Sequence, residues 1–259
     1  MTALGSNTFA VSLDDCPQWH HGIRHYAVWC LPVDDPDWLA LIDHTQTRLS
    51  PWLHKGYARQ PHITLFACGL VDKNHCPDAM LAAQIQSLEL YSLSTMLYTS
   101  SGLSTFSTAP WLGIEDGDNR LQPLRNLLAH AAAEDSPPPQ YQPHITLGFY
   151  RDTFALDVIE KALSPLQERA LALPPLHIDR VQLCYYDTHD IQGELTVKET
   201  IKLNPSAPVD NDATPINPLD EIKQMRQAQL RVCALKQQNE LDQLVNQAKT
   251  GVDKSDKEV

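Results

Sequence analysis

The chain has 259 residues, enough for one large domain or two small ones with a buried core. Hydrophobic residues make up 42% of it, so most of the chain is expected to fold rather than stay disordered. The formal net charge of -12 argues against a protein that coats long polyanions, while leaving room for a small nucleotide in a locally basic pocket.

Residues 1–21 have the look of an irregular lead-in. They lack a basic start and a sustained apolar stretch, so no secretory signal is expected. No apolar run approaches the length of a membrane span, and a cytoplasmic, soluble protein with no membrane partner is expected. RHYAVWCLPV follows, rich in β-formers and expected to be a strand. Residues 36–50 carry Trp38, Leu41, Ile42, Thr45 and Leu49 at helical spacing behind Pro36. Then come a strand at QPHITLFACGL, a helix over 77–90, and two strands within 92–115 joined around LSTFSTAP. A third helix is expected over 121–134, a strand at QPHITLGFY, a helix over 153–171, and strands at RVQLCYYD and ELTVKETIKL.

After residue 204 the composition shifts. Residues 205–218 are a linker by their Pro, Asp and Asn content. Residues 219–249 form an amphipathic pattern with Ile222, Met225, Leu230, Leu235, Leu241 and Leu244, expected to be a helix that docks on the core or on a second copy. Residues 250–259 are a charged tail expected to be disordered. The six cysteines, Cys16, Cys30, Cys68, Cys76, Cys184 and Cys233, form no CxxC pair and are expected to be reduced thiols.

The hexapeptide QPHITL occurs twice, at residues 60–65 and 142–147, each time in an expected strand between helices. The order of elements around the two copies is that of a duplicated α+β unit. Side chains two apart in a strand share a face, so His62 and Thr64 point one way and Ile63 and Leu65 the other. The same holds for His144 and Thr146 against Ile145 and Leu147. Packing alone would keep the apolar pair and leave the outward pair free to differ, yet both copies keep His and Thr. If the units pair about a pseudo-twofold axis, two imidazoles and two hydroxyls converge on one groove. One imidazole can take a proton from an attacking oxygen while the other gives one to a leaving oxygen. The hydroxyls can donate to phosphate oxygens as charge grows there.

Paired HxT motifs in a duplicated unit resemble the 2H phosphoesterase superfamily, and within it the bacterial RNA 2',3'-cyclic phosphodiesterases, also called 2'-5' RNA ligases. The resemblance covers about residues 22–204 and includes LSTFSTAPWLGIE, similar to the aromatic loop and strand that precede the family's second motif. It implies a bilobal α+β fold, two antiparallel sheets around a central cleft with outer helices. It implies His62, Thr64, His144 and Thr146 as the catalytic set, with no cofactor and no metal. It also implies hydrolysis of 2',3'-cyclic phosphate ends or of short 2'-5' linked nucleotides or RNA. The family's common assignment makes His144 the base and His62 the acid, but the near-symmetric motifs leave the two roles interchangeable. The alternatives are 2'-5' RNA ligase activity and a non-catalytic nucleotide-binding or scaffold protein. The helix over 219–249 and the acidic charge depart from the family pattern.

Around the motifs, Lys55, Arg59 and Arg151 are candidate phosphate contacts and Phe106 a candidate base-stacking residue. Phe149 and Tyr150 fit packing roles better. CPQWHHGIRH gathers Cys16, His20, His21 and His25, but its spacing fits no common zinc pattern, and His25 is expected to open the first strand.

Overall fold

The computed structural model describes residues 7–91, 93–117, 119–132 and 141–205. The expected helix over 219–249, the tail over 250–259 and the linker beyond residue 205 lie outside the described residues, as does the start of the lead-in. A short helix α1 (Pro17–His20) precedes β1 (His25–Pro32), α2 (Pro36–Leu49), β2 (His62–Leu70), α3 (Asp78–Tyr91), β3 (Met96–Thr105) and β4 (Pro110–Glu115). Then follow α4 (Leu121–Ala131), β5 (His144–Thr146), α5 (Leu156–Leu163), α6 (Gln167–Leu171), β6 (Leu176–Ile178), β7 (Arg180–Asp187) and β8 (Thr196–Lys202). Among the described residues no helix is long and apolar enough to cross a membrane.

The strands form one eight-stranded sheet in the order β6-β3-β4-β5-β2-β1-β7-β8, antiparallel at every step. This corrects the expectation of two separate sheets. The HxT strands are neighbours, joined where Ile63 pairs with Ile145, and that contact carries the hydrogen bonding from one half into the other. The duplication survives in the strand order. Outward from the seam run β2, β1, β7 and β8 on one side and β5, β4, β3 and β6 on the other.

The helices cover one face. Trp29, Leu31, Ile63, Leu65, Leu112, Ile114 and Ile145 from the strands, with Leu147 just after β5, meet Trp38, Leu41, Leu88, Leu124, Leu128 and Ile159 from the helices in one core. Helix α2 starts where it should by its local chemistry: the Asp35 carboxylate accepts from the Asp37 and Trp38 amides at 2.9 and 3.2 Å, with Pro36 in the first turn. The Asp116 carboxylate serves α4 in the same way, accepting from the Arg120 and Leu121 amides. The long helix expected over 153–171 is broken into α5, a 3-10 turn over Ser164–Leu166 and α6. Pro165 lacks the N–H that a continuous helix needs there. Strand β6 is only three residues long, too short to show an alternating pattern.

Gln84 is a fully buried amide on α3 that ties three elements together. Its Oε1 accepts from Trp29 Nε1 at 2.9 Å, and its Nε2 donates to the Leu128 carbonyl at 3.1 Å. Gln84→Leu keeps the volume but strands the buried Trp29 indole N–H, while the Leu128 carbonyl keeps the Ala132 amide at 3.1 Å. The expected cost is about 1–3 kcal/mol per unsatisfied group, read as a lowered midpoint in urea with unchanged slope. An unchanged midpoint would mean that these bonds contribute nothing to stability.

Candidate active site

The face of the sheet away from the helices carries His62, Thr64, His144 and Thr146. Ile63 opposite Ile145 in an antiparallel pair sets His62 against Thr146 and Thr64 against His144. The two histidines are therefore diagonal neighbours, whose backbones stand roughly 7–8 Å apart in such a ladder. Side chains standing off the sheet at that spacing can flank one phosphate group.

Each histidine is held by its own strand in the same way. His62 Nδ1 lies 2.7 Å from the Gln60 carbonyl, and His144 Nδ1 lies 2.7 Å from the Gln142 carbonyl. A carbonyl only accepts, so each Nδ1 carries a proton and each neutral ring presents a bare Nε2. The prolines between have matched roles too. The Pro61 carbonyl accepts from the Val33 amide and the Pro143 carbonyl from the Ile114 amide, at 3.1 and 3.0 Å. Every position of QPHITL is thus occupied: a carbonyl for the ring, a ladder acceptor without a donor, an imidazole, a core residue, a hydroxyl, a core residue.

The two rings differ in surroundings. His62 is 9% exposed, and desolvation pushes its pKa down to about 4, against the pull of the Gln60 carbonyl and with help from the charge of Arg59 and of His144. His144 is half-buried, and burial lowers its pKa also. Phe106 stands edge-on to His144 with ring centres 4.9 Å apart and stacks on Trp111 at 5.1 Å. Trp111 can lie across its strand because the next position on the same face is Gly113, where a Cβ would come within 2.6 Å of the indole. The backbone of Thr64 is braced from α4 and the loop after it: Tyr141 OH donates to the Thr64 carbonyl at 2.6 Å, and Arg125 Nη1 donates to the Leu65 carbonyl at 2.8 Å. The Arg125 guanidinium lies 3.9 Å from the Tyr141 ring centre. Beside His62 a pocket of about 390 Å³ is lined by Cys30, Pro32, Gln60, Gln182, Cys184 and Leu195.

Of the flanking candidates, Phe106 meets a histidine, His144. Arg59 Nη2 donates to the Ile191 carbonyl while the guanidinium sits 4.5 Å over the Tyr186 ring. Arg151 is turned elsewhere, with Nε donating to the Pro51 carbonyl at 3.0 Å and the guanidinium near Phe154. Lys55 is exposed, and Tyr150 is fully buried with its hydroxyl 2.6 Å from Thr105 Oγ1. Trp111, Tyr141, Arg125 and the two glutamine carbonyls were not singled out from sequence. The repeated Gln before Pro-His was the available signal.

His25 opens β1. His20 does not meet Cys16 but comes together with Asp15 and His189, their ligand atoms all within 4.8 Å of one another. The Gly22 amide donates to His20 Nδ1 at 3.0 Å, and His20 Nε2 lies 2.8 Å from Asp15 Oδ1. Nδ1 accepts from Gly22, so the ring N–H at Nε2 donates to Asp15. His20 and Asp15 are a hydrogen-bonded pair, with His189 Nε2 at 3.9 Å from Asp15 Oδ1.

A profile of the 2'-5' RNA ligase superfamily matches residues 8–190. No curated protein sequence matches the chain. Among solved structures, Escherichia coli LigT complexed with 3'-AMP is 14% identical, with a TM-score of 0.43 over 70% of this chain and 98% of that one. The Thermus thermophilus protein TT0787 is 14% identical, TM-score 0.44, over 70% and 100%. Kluyveromyces marxianus Usb1 is 12% identical, TM-score 0.42, over 70% and 98%.

A histidine whose folded pKa is depressed resists protonation while the unfolded chain, near 6.5, accepts it. Stability is therefore lost as pH falls from about 6.5 to about 4, and His62 alone accounts for about 3 kcal/mol of that loss. In His62→Asn the fall in unfolding free energy between pH 7 and pH 4 is expected to be smaller by about that amount. Identical pH–stability curves for the two proteins would refute the burial argument.

Proposed function

The chain belongs to the 2'-5' RNA ligase superfamily, and from that premise we propose that it is a phosphodiesterase. Its substrates are 2',3'-cyclic phosphate ends or short 2'-5' linked nucleotides, and its two histidines act as acid and base. The observation that carries this reading is the matched pair of Nδ1–H···O=C bonds from His62 and His144, which leaves both Nε2 atoms bare on one face beside two threonine hydroxyls.

In the reaction, one neutral imidazole takes a proton from water as its oxygen bonds to phosphorus. The other, protonated, gives its proton to the departing ribose oxygen as the P–O bond breaks. The histidines end with exchanged protonation states and reset through solvent. Both rings are held neutral by burial before substrate arrives. The anionic phosphate then favours the charged form of one of them, so substrate brings the acid into its working state. Thr64 and Thr146 donate to the non-bridging oxygens, where charge accumulates in the transition state. Joining of RNA ends is the same chemistry reversed, and water at high concentration favours hydrolysis.

Hydrolysis of adenosine 2',3'-cyclic phosphate and of a short 2'-5' oligonucleotide tests the reading, run in EDTA with His62→Ala and His144→Ala alongside. Turnover is expected to survive EDTA and to fall by about 10²–10⁴-fold in each variant. Turnover that both variants retain would remove the histidines from the mechanism. Absence of turnover by folded wild-type protein would favour a nucleotide-binding role.

A further inference from the structure

The segment before β1 crosses from one half of the sheet to the other. Over the second half, the Thr8 amide donates to the Phe154 carbonyl at 2.8 Å, the Phe9 amide to the Ser107 carbonyl at 2.6 Å and the Val11 amide to the Tyr150 carbonyl at 2.9 Å. Ser107 is the neighbour of Phe106, which touches His144. The segment then reaches the first half, where Asp15 and the buried His20 clamp it, the His20 ring lying 4.5 Å from that of His189. Between this strap and the loops that carry Arg59 and His189 there is a pocket of about 420 Å³. Leu13, Trp19, Arg59, Phe149, Tyr186 and His189 line it.

Trp19, Arg59, Phe149, Tyr186 and His189 give the walls flat groups, and Tyr26 behind them joins two of these in series. Trp19 stacks on Tyr26 with centres 6.0 Å apart and planes 23° apart, and Tyr26 stacks on Tyr186 at 5.1 Å and 22°. The Arg59 guanidinium lies 4.5 Å over Tyr186. Simple core packing would bury such an array, yet Trp19 is 38% exposed and Tyr186 is only half-buried. Polar groups that can meet a base edge, Ser12, Asp14 and His189, share the walls. A pocket of this volume, with aromatic and guanidinium faces and a few polar atoms, suits a heteroaromatic ring with its sugar. Arg59, a wall of this pocket, lies three residues before His62 in the segment that leads into its strand.

We infer that this strap-walled pocket binds the nucleobase of the substrate, with Arg59 standing between the base and the phosphate at His62. The inference rests on the phosphodiesterase reading for its substrate, but its binding test does not depend on turnover. Calorimetric titration of the full chain compares adenosine 5'-monophosphate with ribose 5-phosphate. The nucleotide is expected to bind at least about tenfold more tightly than the sugar phosphate. Trp19→Ala and Phe149→Leu, each checked for native circular dichroism, are expected to remove about tenfold of that preference while leaving ribose 5-phosphate binding unchanged. In turnover, Trp19→Ala is expected to raise KM for adenosine 2',3'-cyclic phosphate about tenfold with kcat within about twofold. Equal binding of the two ligands, or no effect of either variant on the nucleotide, would overturn the pocket. Loss of turnover with the binding preference intact would instead overturn the phosphodiesterase reading alone.

Discussion

One antiparallel contact, Ile63 against Ile145, joins the two halves of the sheet, and the geometry of the site follows from it. A ladder with period two leaves no choice about faces once the inward pair is set. With the isoleucines committed to the core, the flanking histidines and threonines must stand on the opposite face, crossed so that each histidine opposes a threonine. A slip of one residue in either strand would bury its histidine and threonine and expose its isoleucine and leucine. The hydrophobic core therefore holds the register of the polar face, and α4 adds a direct brace through Arg125 on the Leu65 carbonyl.

The second constraint acts on protons. Burial makes charging costly for both rings, and the carbonyls of Gln60 and Gln142 decide where the single proton of each neutral ring sits. These effects pull in opposite directions on pKa, since the carbonyl favours the imidazolium while desolvation opposes it. For His62 desolvation dominates. The result is a pair of rings oriented and uncharged at rest, on a face where an arriving anion changes the balance.

Much of this was legible in the repeated hexapeptide. A duplicated strand with alternating His, Ile, Thr and Leu gives the faces, the core pair and the polar set from periodicity alone, and the helices at 36–50, 77–90 and 121–134 follow from apolar spacing. The merger into one sheet was not legible, because β5 is three residues long and pairing partners are set by tertiary contact rather than by local pattern. The brace of Tyr141 and Arg125 on the Thr64 backbone was hidden for the same reason, as it joins residues far apart in sequence. Residues 8–11 of the lead-in looked irregular because their amides donate to distant loops, while the short helix α1 that follows has a single turn. The imidazole tether was nearer to hand: a Gln carbonyl two residues before each His is local, but backbone acceptors carry no side-chain signature.

The central claim is that both imidazoles rest as neutral rings with the proton on Nδ1 and a bare Nε2. Long-range nitrogen–proton correlation of the histidine rings at pH 7, assigned with His62→Ala and His144→Ala, observes this directly. A protonated Nδ1 and an unprotonated Nε2 are expected for both residues. A proton on Nε2, or an imidazolium at pH 7, in either ring would contradict it.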